Sequence, residues 1–378
     1  MRKGWTIGHF RDVPIVIHIS MLVVIPLLTI GMTYENFPGL LTQLGIAGDM
    51  LALPPVVFGF ALSVGLFGSV LLHEMGHALV ALATGGRVRK ITLMALGGMT
   101  EIDQDDATPG QTMAVAFAGP LANLILGFIC LAAARGVGLV STDGQLFLMM
   151  LGGINLILAA FNLLPTFPLD GGRILKGLLA WKLTEKRAAD VTSTVGRTFA
   201  MFLGLLGLAR GDVFLMFVAT FLYFGAATDA RAVGNREALD GLTARQAMTT
   251  RVVNVSPHRP ITSVARHMLM QDATAALVST RTDTLGVILP ADLRQSESDE
   301  VGDLIDGPAL YVDLDEPLPD IVREMRWSRR PAIVRDRYNA IVGVVTLAEV
   351  ERAITLRKIA DRGLVSPDAS IESQEHGA

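Results

Sequence analysis

Long runs of apolar residues constrain the fold of this chain more than any other feature of its sequence. The 378 residues include six predominantly apolar stretches of about 20 residues or more, the length that an α-helix needs to cross the hydrocarbon core of a bilayer. These predicted spans cover residues 13–33, 54–84, 111–134, 144–164, 191–209 and 212–230. Glycine is frequent in them, which is typical of membrane helices that pack closely through small residues. Residues 1–235 are therefore predicted to form a multi-pass helical membrane domain.

The distribution of basic residues predicts how this domain is oriented. Loops on the cytoplasmic side of a membrane carry an excess of Lys and Arg. If the N-terminus lies inside, the outer segments hold two basic residues, Arg135 and Arg210, and the inner segments hold thirteen. The thirteen are Arg2, Lys3, Arg11, Arg87, Arg89, Lys90, Arg173, Lys176, Lys182, Lys186, Arg187, Arg231 and Arg236. Both ends of the domain are thus expected on the cytoplasmic side of the cell membrane.

The net charge of the chain, −4, points to no nucleic-acid partner.

A polar segment between the second and third predicted spans has the pattern of a short strand pair. Residues 85–106 begin with Gly-Gly, place apolar residues at Val88, Ile91 and Leu93, and contain a second Gly-Gly at 97–98. We expect this β element at the cytoplasmic membrane surface. Its exposed strand edges would be able to accept an extended peptide through main-chain hydrogen bonds.

The motif HEMGH at residues 73–77 places three ionisable groups inside the second predicted span. Such groups cost roughly 2.5 to 3.5 kcal/mol each at the centre of a membrane helix, so they are rare there and usually functional. His73 and His77 lie one turn apart on one helix face and are able to chelate one metal ion, with Glu74 beside them. Catalytic zinc is held by three protein ligands and keeps one open position. A third ligand must therefore come from elsewhere in the chain.

The depth of the predicted spans selects one candidate for this third ligand. The fourth span delivers the segment NLLPTFPLDGGR, residues 162–173, to the same inner half of the membrane as the two histidines. Two prolines end the helix there and two glycines permit a tight backbone path, so Asp170 is expected to turn inward. The other candidate ligands within the membrane or at its edge are His18, Glu101, Asp212 and Asp229. Of these, His18 is either a partner of the metal ligands or a packing histidine.

Three motifs together resemble the site-2 protease family, the zinc metalloproteases that cut peptide bonds within the membrane. They are HEMGH, FAGPLANLILG at residues 117–127 and NLLPTFPLDGGR, and the resemblance covers about residues 1–235. It implies that one zinc ion per chain is held by His73, His77 and Asp170. It also implies that Glu74 is the general base, and that the substrate is a membrane-anchored protein in the lipid bilayer. Asn123 and Asn162 either bind the substrate or link helices.

After residue 236 the sequence has the pattern of a soluble α/β region with an internal repeat. The two copies cover about residues 242–295 and 300–352, and each predicts a strand, an amphipathic helix, two strands and a helix start. They resemble a pair of CBS modules, so residues 236–362 are expected to form a cytoplasmic regulatory or homodimerisation domain. Residues 363–378 are expected to be a disordered tail.

The resemblance to CBS modules leaves nucleotide binding open. Such pairs commonly bind adenine nucleotides through a hydroxyl residue and an Asp after a Gly-initiated strand. The first copy keeps Asp292 but has Leu289 at the hydroxyl position, and the second keeps Thr346 but has Glu349 in place of Asp. Each copy lacks one element, so a nucleotide site and a purely structural or dimerising role are both retained.

Taken together, these features are interpreted as a polytopic α-helical membrane protein with a membrane-surface β element and a cytoplasmic α/β CBS-pair domain. The leading hypothesis is an intramembrane zinc endopeptidase. Two alternatives are a CBS-bearing transporter, whose ion path would use intramembrane Asp and His, and a catalytically silent membrane protein that senses a nucleotide. Glu74 favours the protease, because a transporter needs metal ligands but no base.

Overall fold

The chain folds into two compact units, Met1–Arg231 and Ala232–Ala378. The computed structural model describes residues 4–34, 52–95, 97–103, 107–138, 140–295, 299–305 and 307–361. The predicted tail at residues 363–378 lies outside this described part.

Helices form most of the first unit. They are α1 Met21–Tyr34, α2 Pro55–Ala83, α3 Pro109–Val137, α4 Thr142–Asn162, α5 Asp170–Ala180, α6 Glu185–Arg210 and α7 Val213–Glu237, whose last residues belong to the second unit. Four of these, α2, α3, α4 and α6, are long and apolar enough to cross a membrane. They correspond to the predicted spans at 54–84, 111–134, 144–164 and 191–209. Shorter apolar stretches lie in α1 and α7, at Met21–Gly31 and Val213–Ala227.

The predicted first span, residues 13–33, is wrong at its N-terminal end. Val13–His18 forms a strand, and the helix begins only at Met21. A tight turn at Arg11 and Asp12, both with positive φ, folds this strand back on Gly4–Phe10. The β-branched residues Val13 and Ile15–Ile17 suit an extended backbone, and Val13 and Ile15 are buried.

Among the described residues of the first unit, four strands form one sheet, in the order β1 (Gly4–Phe10), β2 (Val13–His18), β3 (Arg87–Met94) and β4 (Gly97–Asp103). β2 runs parallel to β3, and β3 is antiparallel to β4, so the predicted strand pair in residues 85–106 is present within a larger sheet. Val13, Ile15 and Ile91 pack with Ala78 of α2 in one buried cluster. This contact fixes the sheet against the helix that carries HEMGH. In the strand order of the sheet, β4 lies at one edge.

The second unit contains two copies of the predicted repeat. Its strands are β5 Val252–Val255, β6 Ala275–Ser279, β7 Thr284–Ile288, β8 Leu310–Asp313, β9 Ala332–Arg335 and β10 Ile341–Val345, in the sheets β5-β6-β7 and β10-β9-β8. Its helices are α8 Ala244–Ala247, α9 Ile261–Met270, α10 Pro290–Gln295, α11 Leu318–Ser328 and α12 Leu347–Asp361, with a 3₁₀ turn at Val301–Leu304. In each copy the central strand, β6 or β9, carries the most deeply buried residues, because it is paired on both sides.

Candidate metal centre

Helix α2 presents His73, Glu74 and His77 toward the interior of the first unit. All three side chains are buried, with 4 to 7% of their surface exposed. The two imidazoles lie one turn apart, with ring centroids 4.7 Å from each other and planes nearly perpendicular. The prediction that the motif lies on one helix is therefore confirmed, and both rings project to the same side.

Asp170 reaches the same place from the start of helix α5. The loop between α4 and α5 folds back against the first turn of α5, with Phe167 and Leu169 buried and a cis peptide bond at Phe167–Pro168. The two glycines after Asp170 are required by this path, since a Cβ atom on Gly172 would lie 2.6 Å from the Thr166 carbonyl carbon. The PLDGG sequence thus turns the carboxylate inward.

Three ligand atoms converge at this point. Asp170 Oδ2 lies 3.1 Å from His73 Nε2 and 3.3 Å from His77 Nε2, and the two Nε2 atoms are 3.1 Å apart. Zinc bonds to nitrogen and oxygen are about 2.0 to 2.2 Å long, so two ligands of a tetrahedral ion lie about 3.3 Å apart. The triangle therefore has the size that a zinc ion requires. It is also the one group of three or more His, Cys, Asp and Glu side chains, among the described residues, that is placed to hold a metal ion.

A backbone hydrogen bond and a glycine set the orientation of the imidazoles. His77 Nδ1 donates to the Val115 carbonyl oxygen at 2.7 Å, which leaves the lone pair of Nε2 directed into the triangle. Helix α3 passes close by at Gly119, where a Cβ atom would lie 2.6 Å from His73 Nε2. Glycine at position 119, in the FAGPLAN segment, therefore leaves the room that the two imidazole rings occupy.

Asp170 is ionised in this environment. Burial acts to raise the pKa of its carboxyl group, but the close contacts of the carboxylate with the two imidazoles outweigh burial, and the pKa lies below its usual range. One carboxylate and two imidazoles form the donor set that suits zinc among the divalent metals.

Glu74 lies beside the triangle and makes a separate contact with the sheet. Its Oε2 accepts a hydrogen bond of 2.5 Å from the hydroxyl of Thr100 in β4. Gly98, two residues earlier on the same strand, covers the carboxylate so closely that a Cβ atom there would lie 2.7 Å from Oε1. Neither Thr100 nor Gly98 was expected from the sequence, because only the docking of β4 on α2 brings them there.

Glu101, Asp212 and His18 do not belong to the group of converging ligand atoms. Glu101 in β4 pairs with Lys90 at 3.1 Å, and His18 Nδ1 contacts the Ser20 hydroxyl at 2.9 Å. Asp212 is exposed and accepts from the Leu215 backbone at the start of α7. The side chain of Asp229 lies outside the described part of the structure.

The two asparagines differ in their surroundings. Asn162 donates to the Leu158 carbonyl oxygen of its own helix at 3.0 Å. Asn123 is 1% exposed, and its Oδ1 atom has no hydrogen-bond partner among the described residues. A link between helices is therefore not found for either side chain within that part of the chain.

The second unit contains a cavity of about 780 Å³ between its two repeats. Its lining includes Thr274, Arg326, Arg329, Thr346 and Glu349. Thr346 and Glu349 belong to the segment that the sequence singled out in the second copy. A smaller cavity of about 220 Å³ includes Asp292, the corresponding residue of the first copy.

Comparison with known proteins gives matches for both units. Residues 61–144 and 138–203 match Peptidase family M50, and residues 301–356 match the CBS domain. A zinc metalloprotease of Methanocaldococcus jannaschii is 29% identical over 304 residues, covering 80% of this chain and 87% of the relative. The Mycobacterium tuberculosis protein Rip3, whose name describes it as a zinc metalloprotease, is 30% identical over 389 residues and 95% of each chain. The solved site-2 protease from M. jannaschii is 28% identical and covers 60% of this chain and 95% of its own, with a TM-score of 0.43.

Proposed function

Since the chain belongs to peptidase family M50, the site-2 protease family of zinc metalloproteases, we propose that it hydrolyses peptide bonds of membrane-anchored proteins. The observation that carries this proposal is the triangle of His73, His77 and Asp170 with Glu74 beside it, buried in an apolar helical unit. Three costly ionisable groups converge there and a fourth, Glu74, lies beside them, and a hydrolytic metal site gives each of the four a role.

Each of the four side chains has a distinct task in the proposed reaction. His73, His77 and Asp170 would hold one zinc ion. When bound, zinc supplies a Lewis acid that polarises the scissile carbonyl and lowers the pKa of water toward about 7. Glu74 takes the proton from the attacking water and later gives it to the leaving amine. The low exposure of all four side chains limits competing bulk water.

We propose that the first unit crosses the membrane six times, through the four long helices and the apolar stretches of α1 and α7. An even number of crossings puts both ends on one side, and the excess of Lys and Arg makes that side cytoplasmic. The sheet supports this topology, because β1 and β2 from the N-terminus pair with the strands of residues 85–106. The metal centre then lies toward the cytoplasmic side of the cell membrane, with the β element at its surface.

The direct test is cleavage of a model transmembrane substrate by the purified protein in detergent or liposomes. Cleavage should stop when the metal is removed by a chelator and return when zinc is added. The Glu74→Gln protein, purified in the same way, is the matched control that detects cleavage by a contaminating protease. Zinc-independent cleavage, or cleavage by that control, would count against the proposal.

We further propose that the substrate binds as an added strand at the free edge of β4. A transmembrane helix satisfies its own amides, so it must be unwound locally before it is cut. β4 pairs only with β3 among the described strands, and it lies next to Glu74 through Thr100. This edge is therefore placed to offer main-chain groups to an extended peptide beside the proposed catalytic base.

Single N-methylation of amides along a synthetic substrate tests this binding mode. Alternate amides of an added strand point toward β4, so the loss of kcat/KM should alternate with a period of two residues around the cut. Each lost hydrogen bond is worth about 1 kcal/mol, which corresponds to about a 5-fold loss. Methylation more than ten residues away serves as the control. A profile without alternation would exclude strand addition.

For the second unit we propose adenine-nucleotide binding in the larger cavity, with regulation of the protease as its consequence. The cavity is large enough for a small ligand, and Arg326, Arg329 and Thr346 offer donors for phosphate and ribose groups. A purely structural or homodimerising role is the alternative.

Calorimetric titration of the full-length protein with ATP and AMP separates these roles. We expect saturable binding that weakens at least about 10-fold in Thr346→Ala, the loss of roughly 1.4 kcal/mol for one good hydrogen bond. Thr355→Ala, an exposed threonine of α12, is the matched control. Absence of heat with either nucleotide would favour the structural or dimerising role.

A further inference from the structure

We propose that Thr100 is a positioning residue that holds Glu74 in place for proton transfer. This inference rests on the proposed function, because it assigns a role to Thr100 only if Glu74 is the base. Thr100 lies in β4, 26 positions along the chain from Glu74, and nothing in the HEMGH motif points to it.

The hydrogen bond is specific to the Glu74 carboxylate. Thr100 Oγ1 lies 2.5 Å from Oε2 and 3.4 Å from the Glu74 backbone oxygen, so its single proton is donated to the carboxylate. A hydroxyl bonded to a carboxylate forms a short, charge-assisted hydrogen bond, which is stronger than one between neutral groups. No second hydrogen bond to this carboxylate is found within the described ranges, so Thr100 is its one fixed partner there.

The strand geometry places a second constraint on the same side chain. Residues two apart on a strand face the same side, so Gly98 and Thr100 both face α2, while Met99 is exposed on the opposite face. A Cβ atom at Gly98 would lie 2.7 Å from both Cδ and Oε1 of Glu74. Gly98 therefore lets the β4 backbone approach the carboxylate, and Thr100 holds the Oε2 atom through its hydrogen bond. Oε1 remains as the oxygen available to take a proton.

The expected effect follows from the flexibility of glutamate. A glutamate side chain has three rotatable bonds, and without a partner it populates several rotamers. Misplacement of a reacting group by about 1 Å costs on the order of 100-fold in rate. Loss of the Thr100 hydroxyl should therefore lower kcat by about 10-fold to 100-fold and leave substrate binding and the zinc ligands unchanged.

A structural role for Thr100 is the competing explanation, because a β-branched residue is favourable in any strand. Valine keeps the shape of threonine and removes the hydroxyl, whereas serine keeps the hydroxyl. Thr92 in the neighbouring strand β3 offers a matched control, since its buried hydroxyl has no hydrogen-bond partner in the described part of the chain. The same Thr→Val change at residue 92 therefore perturbs the same sheet without touching Glu74.

The experiment compares Thr100→Val, Thr100→Ser and Thr92→Val in the full-length protein, with kcat, KM and zinc content measured for each. We expect kcat to fall 10-fold to 100-fold only in Thr100→Val, with KM and zinc within about 2-fold of wild type, and Thr100→Ser to keep at least a third of the activity. Equal kcat in Thr100→Val and Thr92→Val, or a defect that appears only in KM or zinc content, would overturn the proposal.

A double substitution distinguishes the positioning of Glu74 from a purely structural role of Thr100. Glu74→Asp shortens the side chain, so its carboxylate should no longer reach Thr100. Adding Thr100→Val to Glu74→Asp should then change the residual rate by less than about 3-fold, because the two effects are not independent. Full additivity would contradict the inference. A wild-type protein that cleaves nothing would instead refute the proposed function itself.

Discussion

Replacing Glu74 with glutamine should abolish cleavage while the protein retains close to one zinc ion per chain. Glutamine has nearly the same shape and is able to accept the hydrogen bond from Thr100, but it cannot take up a proton from water. General acid–base catalysis contributes roughly 100-fold to 10,000-fold to rates, and Glu74 is proposed to serve in both proton transfers. We therefore expect a loss of at least about 1,000-fold in kcat. Its carboxylate is not one of the three converging ligand atoms, so metal binding should persist.

The measurement combines a cleavage assay with elemental analysis of the same preparation. Glu101→Gln is the matched control, since it makes the same chemical change on β4 at a residue that pairs with Lys90. That variant should remain active. An active Glu74→Gln protein would remove the mechanism, and a Glu74→Gln protein without zinc would place this residue among the metal ligands.

The local part of the site could be predicted from the sequence. The i, i+4 spacing of His73 and His77 fixes their relative position once the segment is helical, so no knowledge of the fold is needed. Asp170 could be selected because the predicted spans carry it to the same depth. The structure brings these three side chains together within hydrogen-bond distance.

The contacts that depend on tertiary packing could not be predicted. Thr100 and Gly98 reach Glu74 only because the sheet docks on α2, and the pairing of β2 with β3 that fixes this docking joins segments about 75 residues apart. Apolar character alone did not distinguish strand from helix at Val13–His18, because a short apolar run suits both.

The buried glutamate also bears on the alternative functions. A transporter site would use the His73, His77 and Asp170 triangle without needing a base beside it. Instead Glu74 is held by a hydrogen bond and covered by a glycine that leaves room for it. Together with membership in a metalloprotease family, this arrangement favours hydrolysis over ion transport and over a catalytically silent sensor.

Replacing Asp170 with asparagine should lower zinc affinity and abolish cleavage together, in contrast to the Glu74 variant. The amide keeps the shape of the side chain but loses the negative charge that lies 3.1 and 3.3 Å from the two imidazole Nε2 atoms. Loss of a residue that only supports a metal ligand costs 10-fold to 100-fold in affinity. Loss of a charged ligand should therefore cost at least about 100-fold.

Zinc content is best measured after equilibration in metal buffers that span several decades of free zinc, because a single purification would hide a graded loss of affinity. Asp212→Asn is the matched control, since Asp212 is an exposed acid at the start of α7 and makes no contact with the triangle. Excess zinc should restore part of the Asp170→Asn activity but none of the Glu74→Gln activity, because only the first variant retains its base. Wild-type zinc affinity in Asp170→Asn would show that the third ligand lies elsewhere.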